Sequence, residues 1–510
     1  MVKRFTETPA ELSEPKKVLA KTKSGTDRNH QLGRGAFWSM LGQASGQGLS
    51  LILFLVIARF VSKESFGVVA VSLALIEFVR RMTIDPIALA VNANPEATER
   101  DYDACFTLII LVSTFLTFAI FSLAGPIAKL IGSPEIADAL RAISLIMVAM
   151  GLWRTHEAWL ARHLKFRALA LRSIVSVAAG GLTGIWMAVN GYGIWSLVGQ
   201  QLTISIVAVS LLWMVTPWRP SFVFAPHSFR LNLRQSRFIS ISAFWNSLST
   251  DADIFFISSL SGPSAAGAYN AGKRILLAAN LMLVNAISAV TLPALSNAGS
   301  RKAQQATFLG GIELSSALTA PAFMGIAVTA PAIVGVILGP TWQDVAPILT
   351  ALALSGYLLS LSQFATSVLL VEQRSGLDSV CSAVATVLSI TAFILFARYG
   401  ALAVAWSVSA TALIIFPLRI GLAMRLLEIR AKALTAALLP SLIATAVMGG
   451  VVLAATRYVP ESFSSTINLV ALLLLGSISY ILMFATFAPR TVRVISLTAI
   501  ALLSSTEKSS

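Results

Sequence analysis

Residues 104–131, ACFTLIILVSTFLTFAIFSLAGPIAKLI, hold a single charged side chain, Lys129, and stop at Gly132-Ser133-Pro134. An apolar run of that length crosses the roughly 30 Å hydrocarbon core of a bilayer as one helix. Outward from it, similar runs follow one another at approximately 35–58, 65–90, 137–158, 169–190, 193–215, 237–260, 272–296, 307–338, 346–371, 378–397, 401–424, 433–455 and 466–487. The pattern predicts an all-α polytopic membrane protein of about 14 spans. Its punctuation also repeats: Phe37-Trp38 returns as Phe244-Trp245, Gly132-Ser133-Pro134 as Gly339-Pro340, and Tyr192-Gly193 as Tyr399-Gly400, each 207 residues later. Two homologous halves around a shared centre are the plan of many secondary transporters.

The repeat predicts a disordered basic tail over 1–33, a six-helix lobe over 34–217, a cytoplasmic linker over 218–236, a second six-helix lobe over 237–424, two additional helices within 425–490 and a tail over 491–510. The first apolar run is too long for a signal peptide and lacks a small-residue cleavage site. Charged residues make up 12% of the chain, about half the share of a soluble domain. The net charge of +15 would suit nucleic acid. However, the bases lie in short loops between spans rather than on one soluble face, so no nucleic-acid partner is expected. With the N-terminus inside, the inner segments hold the basic tail, Arg162, Lys165, Arg167, Arg219, Arg230, Arg234, Arg237, Arg301, Lys302, Arg425, Arg430, Lys432, Arg490 and Arg493. The outer loops hold far fewer, a bias of roughly three to one that places both termini in the cytoplasm. Two cysteines, Cys105 and Cys381, and four scattered histidines form no metal-ligand pattern, and no Walker loop or dinucleotide fingerprint is present. No cofactor is expected.

Charge inside a span is a functional signal by default, because it is costly unless it meets a polar interior. The second span carries Glu77, Arg80, Arg81 and Asp85. Glu77, Arg81 and Asp85 share one helical face. They read either as an ion-coupling site or as a self-neutralising ladder that locks the helix in place. Pro86 should loosen the helix there. Arg80 points off that stripe and is read as unpartnered, open to an anion. Asp251 and Asp253 in the seventh span are further ion-coupling candidates, one of them facing a cavity. Lys273 and Arg274 begin the eighth span, where Lys273 reads as a snorkelling interface marker. Arg154 could reach inward from the fourth. Gln43, Gln47, Asn280 and Asn285 are amides that either bind sugar hydroxyls or hold helices together.

The stretch 57–79, IARFVSKESFGVVAVSLALIEFV, resembles the opening of bacterial polysaccharide transporters of the Wzx type, within the multidrug, oligosaccharidyl-lipid and polysaccharide exporter superfamily. So do 267–297, GAYNAGKRILLAANLMLVNAISAVTLPALSN, and the succession 160–181, LARHLKFRALALRSIVSVAAGG, 190–198, NGYGIWSLV, and 216–222, TPWRPSF. The resemblance implies a flippase of the bacterial inner membrane, not an enzyme. It would carry undecaprenyl-diphosphate-linked oligosaccharides from the cytoplasmic to the periplasmic leaflet for exopolysaccharide, capsule or lipopolysaccharide O-antigen synthesis. The partners implied are the lipid-linked substrate, membrane lipids, and a polysaccharide polymerase and co-polymerase. Arg274, Asp253 and Arg59 match the family's basic residue after Gly-x-Tyr in span eight, its acidic position in span seven and its basic residue closing span one. Ser258-Ser259, where a second Arg59 would stand, and Asp85-Pro86 depart from the pattern. With these residues, Arg80, Arg81, Arg274, Arg59, Arg154 and the four amides become substrate candidates. Glu77, Asp85, Asp251 and Asp253 become ion candidates. The competing readings are a cation-coupled multidrug exporter, a flippase for a peptidoglycan precursor, and a membrane glycosyltransferase or ligase.

Overall fold

Glycines at positive φ mark where the helices turn back. Gly132 (φ 79°) ends one helix and Gly193 (φ 54°) precedes another, and 207 residues later Gly339 (φ 97°) and Gly400 (φ 100°) do the same. Only a residue without Cβ takes this conformation freely, which is why these positions survive as the visible trace of the repeat. The computed structural model describes residues 38, 41–94, 96–458 and 465–487. The expected terminal tails lie outside the described residues.

The described residues form helices and no strands: α1 (Leu41–Ile57), α2 (Lys63–Ala93), α3 (Glu99–Ile131), α4 (Glu135–Arg162), α5 (Phe166–Val189), α6 (Ile194–Val215), α7 (Pro226–Ser261), α8 (Pro263–Ser296), α9 (Arg301–Ile337), α10 (Val345–Val371), α11 (Ser375–Phe396), α12 (Ala401–Leu427), α13 (Ala431–Tyr458) and α14 (Ser465–Phe487). Local sequence sets their starts. Ser62 accepts from the Ser65 N–H, Ser300 accepts from Ala303, and Thr98 with Asp101 forms a capping box. Pro86 lies inside α2 without ending it.

Ten helices are long and apolar enough to cross a membrane: α3 to α6 and α9 to α14. The other four are α1, seventeen residues long as described, and the more polar α2, α7 and α8. Two boundaries differ from the sequence reading. Helix α7 begins at Pro226, inside the expected linker, and α8 begins at Pro263 rather than near 272. Lys273 therefore lies ten residues into α8, about 15 Å along it, and not at its end.

Packing repeats as the sequence does. In the first half α3 packs on α4, α5 on α6, α4 on α6 and α2 on α4; in the second, α9 on α10, α11 on α12, α10 on α12 and α8 on α10. Helix α1 meets α5 through small residues: a Cβ on Gly42 would stand 2.6 Å from Ala170 Cβ, and one on Gly181 2.1 Å from Leu53 Cδ1. Such residues let helix backbones approach where no hydrophobic gain separates protein from lipid. The pair α7 and α11 is the counterpart, and α13 and α14 pack on each other and on α9.

The halves meet most tightly at one end. There α2 crosses α8 with Gly67 against Gly267; a Cβ on Gly67 would stand 1.7 Å from Pro263 O, and one on Gly267 2.0 Å from Lys63 O. Around this crossing Trp342 Nε1 donates to Ala58 O at 2.9 Å, its ring meets Phe66 at 5.5 Å, and Lys63 Nζ pairs with Asp344 Oδ2 at 2.8 Å. Arg59 also lies here, donating to Val336 O at 2.6 Å. The crossing leaves no volume for a side chain, and overpacking costs about 1–3 kcal/mol. Gly267→Leu is therefore expected to part the halves at this end. In a protein lacking Cys105 and Cys381, the pair Lys63→Cys and Asp344→Cys should crosslink readily with a short bismaleimide. Adding Gly267→Leu should cut that yield several-fold, and an unchanged yield would contradict the close crossing.

Candidate functional site

The short α1 and the three more polar helices α2, α7 and α8 surround one cavity. It has a volume of about 490 Å³ and is lined by α1 (Gln47, Ser50), α2 (Glu77, Arg81), α7 (Asp251, Asp253) and α8 (Asn270, Lys273, Arg274), with leucines and alanines between them. Glu77 and Arg81 reach it together because i and i+4 share a helical face. Some of the polar residues that weaken α2, α7 and α8 as lipid-facing spans, among them Glu77, Arg81, Asp251, Asp253 and Lys273, are thus turned toward the cavity.

From the cavity wall an alternating chain of ion pairs runs through the first half. Asp251 Oδ2 meets Arg81 Nη1 at 2.6 Å, and Arg81 Nε lies 3.8 Å from Glu77 Oε2. Glu77 Oε2 meets Arg80 Nη2 at 2.5 Å, and Arg80 Nη1 meets Asp85 Oδ2 at 2.5 Å. Asp85 Oδ1 then lies 3.0 Å from Arg154 Nε, and Arg154 Nη1 lies 2.5 Å from Glu157 Oε2. Glu157 Oε1 closes on Arg172 Nη2 at 3.0 Å. Four carboxylates and four guanidinium groups alternate across α7, α2, α4 and α5. This corrects the reading of Arg80 as unpartnered: it is held between Glu77 and Asp85. It also splits the expected stripe, since Asp85 turns to Arg80 and Arg154 rather than to Arg81.

A second cluster joins α7 to α8. Asp253 Oδ2 accepts from Tyr269 Oη at 2.7 Å and from Lys273 Nζ at 2.6 Å, and Lys273 also donates to Thr250 O at 2.5 Å. Lys273 is thus a partly buried partner of Asp253, which corrects its reading as a snorkelling marker. Although Asp251 and Asp253 are two residues apart, both line the cavity.

Arg274 is different. Its guanidinium lies 4.9 Å from the Phe54 ring centroid, and among the described residues it has neither a hydrogen-bond acceptor nor a carboxylate partner. Three acids (Glu77, Asp251, Asp253) and three bases (Arg81, Lys273, Arg274) line the cavity, and of these six only Arg274 is outside the ion pairs formed among the described residues.

The remaining candidates lie elsewhere. Arg59 is at the sealed end. Arg154 is inside the ion-pair chain and does not line the cavity. Gln43 lies one turn before Gln47 on α1, exposed and outside the lining. Asn280 faces a neighbouring cavity of about 340 Å³ with Gln363 and Arg419. The side chain of Asn285 lies outside the described residues. Sequence reasoning did not reach Arg172; its signal was an arginine inside the apolar run of α5, with Glu157 as an acid on the preceding helix α4.

Comparison with known proteins agrees with this architecture. The chain is 28% identical over 331 residues to the succinoglycan biosynthesis transport protein ExoT of Rhizobium meliloti, a match covering 64% of this chain and 66% of that protein, just under two thirds of its length. It is 22% identical over 368 residues to the lipopolysaccharide biosynthesis protein WzxC of Escherichia coli, covering 71% of this chain and 74% of that one. Its fold resembles that of the lipid II flippase MurJ in an inward closed conformation, with a TM-score of 0.73 and 16% identity over 90% of this chain and all of that one. An inward-facing multidrug transporter of the MATE family matches with a TM-score of 0.55 and 13% identity, over 77% of this chain and 94% of the other. The family described as polysaccharide biosynthesis protein matches residues 56–347, more than half of the sequence. The chain belongs to that polysaccharide biosynthesis protein family.

Proposed function

We propose that this protein is a flippase that carries a polyprenyl-diphosphate-linked oligosaccharide from the cytoplasmic to the periplasmic leaflet of the bacterial inner membrane, supplying polysaccharide synthesis. The observation that carries this reading is Arg274. It is a cation without an acid partner, in a cavity shared by two repeated halves whose other charged residues are paired with one another. A guanidinium fork suits phosphate oxygens, and each charge-assisted hydrogen bond contributes about 1.5–3 kcal/mol. Gln47, Ser50 and Asn270 supply donors and acceptors for sugar hydroxyls, replacing the water that these groups lose on entering the membrane. The polyprenyl tail stays in lipid. The positive-inside bias puts the sealed Gly67–Gly267 end on the periplasmic side, so this conformation is ready to load from the cytoplasm. Rocking of the halves would alternate access.

Relatives named for succinoglycan and lipopolysaccharide biosynthesis support a sugar cargo. A polymerase that consumes the flipped unit is the natural partner and an energetic sink. Arg81 serves as a gate element: its bond to Asp251 spans the halves and must break for them to part. The multidrug-exporter reading is weaker here, because a cavity for cationic drugs gains nothing from an arginine left without an acid partner. Normal survival of a deletion strain on cationic dyes would separate the two.

Two outcomes are expected. In the gene-deleted strain, lipid-linked oligosaccharides should accumulate on the inner leaflet, as read with a periplasm-restricted probe. Arg274→Ala should restore less than about a tenth of wild-type transport, a loss of 1.4 kcal/mol or more in binding, while Arg274→Lys recovers part of it. Full rescue by Arg274→Ala would sink the anion role. Glu77→Gln and Asp253→Asn test ion coupling: each should flatten the dependence of transport on pH or Na⁺, and wild-type profiles in both would remove the ion role.

A further inference from the structure

On the opposite flank of the first half, away from the substrate cavity, α5 and α6 leave a groove of about 470 Å³. Ala168, Leu171 and Val175 of α5 and Leu211, Leu212 and Val215 of α6 wall it, Lys165 and Arg167 stand at the end where α5 begins, and Arg172 lies deeper along the same helix. Leu171, Val175 and Val215 are each nearly half exposed, so the groove opens outward, toward lipid. Its length from Lys165 to Val175 is ten residues of helix, about 15 Å. None of these residues lines the central cavity.

Two cations of this groove are under-used by the protein. Lys165 Nζ meets the Trp159 ring at 5.3 Å, and Arg167 the Trp38 ring at 5.5 Å; both are exposed, and neither has a carboxylate partner among the described residues. Arg172, deeper along α5, is held inside the protein by Glu157 at 3.0 Å and by the Trp153 ring at 4.8 Å.

We propose that this groove is a binding site for an anionic phospholipid, with the phosphate on Lys165 and Arg167 and the first part of an acyl chain along Leu171, Val175 and Leu211. Charge and shape both select this occupant. Two exposed cations at one end of an apolar trough match a headgroup and its chain. Basic pockets between helices at the cytoplasmic face are the usual form of such a site, where anionic lipids concentrate cations. The site is independent of the cargo proposed above, since it shares no residue with the cavity.

The test is native mass spectrometry of the purified full chain after exchange into mixed micelles of phosphatidylglycerol and phosphatidylcholine. The wild type should retain phosphatidylglycerol about tenfold over phosphatidylcholine, a difference of about 1.4 kcal/mol. Lys165→Ala with Arg167→Ala, both exposed, should abolish the preference without altering the elution profile. Leu171→Trp, which fills the groove and keeps every charge, should reduce retention of phosphatidylglycerol. Equal retention of the two lipids by the wild type, or a preference untouched by these substitutions, would overturn the site. In a competition arm, displacement of phosphatidylglycerol by undecaprenyl phosphate at equal concentration would reassign the groove to the cargo's carrier lipid. Flippase activity is not read in any arm, so the site and the proposed function fail separately.

Discussion

Charge inside a membrane protein must be matched, and helix α2 is built around that constraint. Removing one partner of a buried ion pair costs about 3–5 kcal/mol, because the other is left without compensation. A helix with Glu77, Arg80, Arg81 and Asp85 therefore cannot face lipid. It needs acids and bases from its neighbours. Asp251 of α7, and Arg154, Glu157 and Arg172 of α4 and α5, supply them. The arrangement fixes which helices are central, and it places the cavity where the polar faces of α2, α7 and α8 converge.

Much of the fold was legible in the sequence, and for a physical reason. Lipid demands long apolar runs and closed backbone hydrogen bonding, so span after span announces itself. Gly132, Gly339, Gly193 and Gly400 recur because their positive φ tolerates no other residue well. The less legible helices were those that lipid does not shape. The starts of α7 and α8 lie upstream of their apolar runs: that of α7 carries the exposed Arg230 and Arg234, and that of α8 is a small-residue stretch packed on α2.

The candidate site was legible only as a set of residue types. Arg81, Asp251, Asp253, Arg274 and Gln47 do meet at one cavity, because each stood out as polar on an otherwise apolar helix. Pairing was hidden. Helical spacing shows which residues share a face, but not that Arg80 bridges Glu77 and Asp85 of its own helix, and the approach of Arg154 to Asp85 depends on how α4 packs against α2. Lys273 was misread because its depth depends on where α8 starts. Arg274 kept its standing for a reason the sequence did not contain: its neighbours' charges are consumed by one another.

The crossing of Gly67 and Gly267 has an entropic side. Each of the two stands four residues after the first residue of its helix, Lys63 in α2 and Pro263 in α8, so the contact is made by one surface meeting its counterpart. It is made of backbone already ordered within two helices. Parting and remaking such a contact frees and freezes no rotamer, whereas a latch such as Arg81 with Asp251 must immobilise a long, flexible side chain each time it closes. A seat of bare peptide groups thus works like a ground-glass joint: it holds by fit, and it can reopen without a large conformational-entropy term on either stroke.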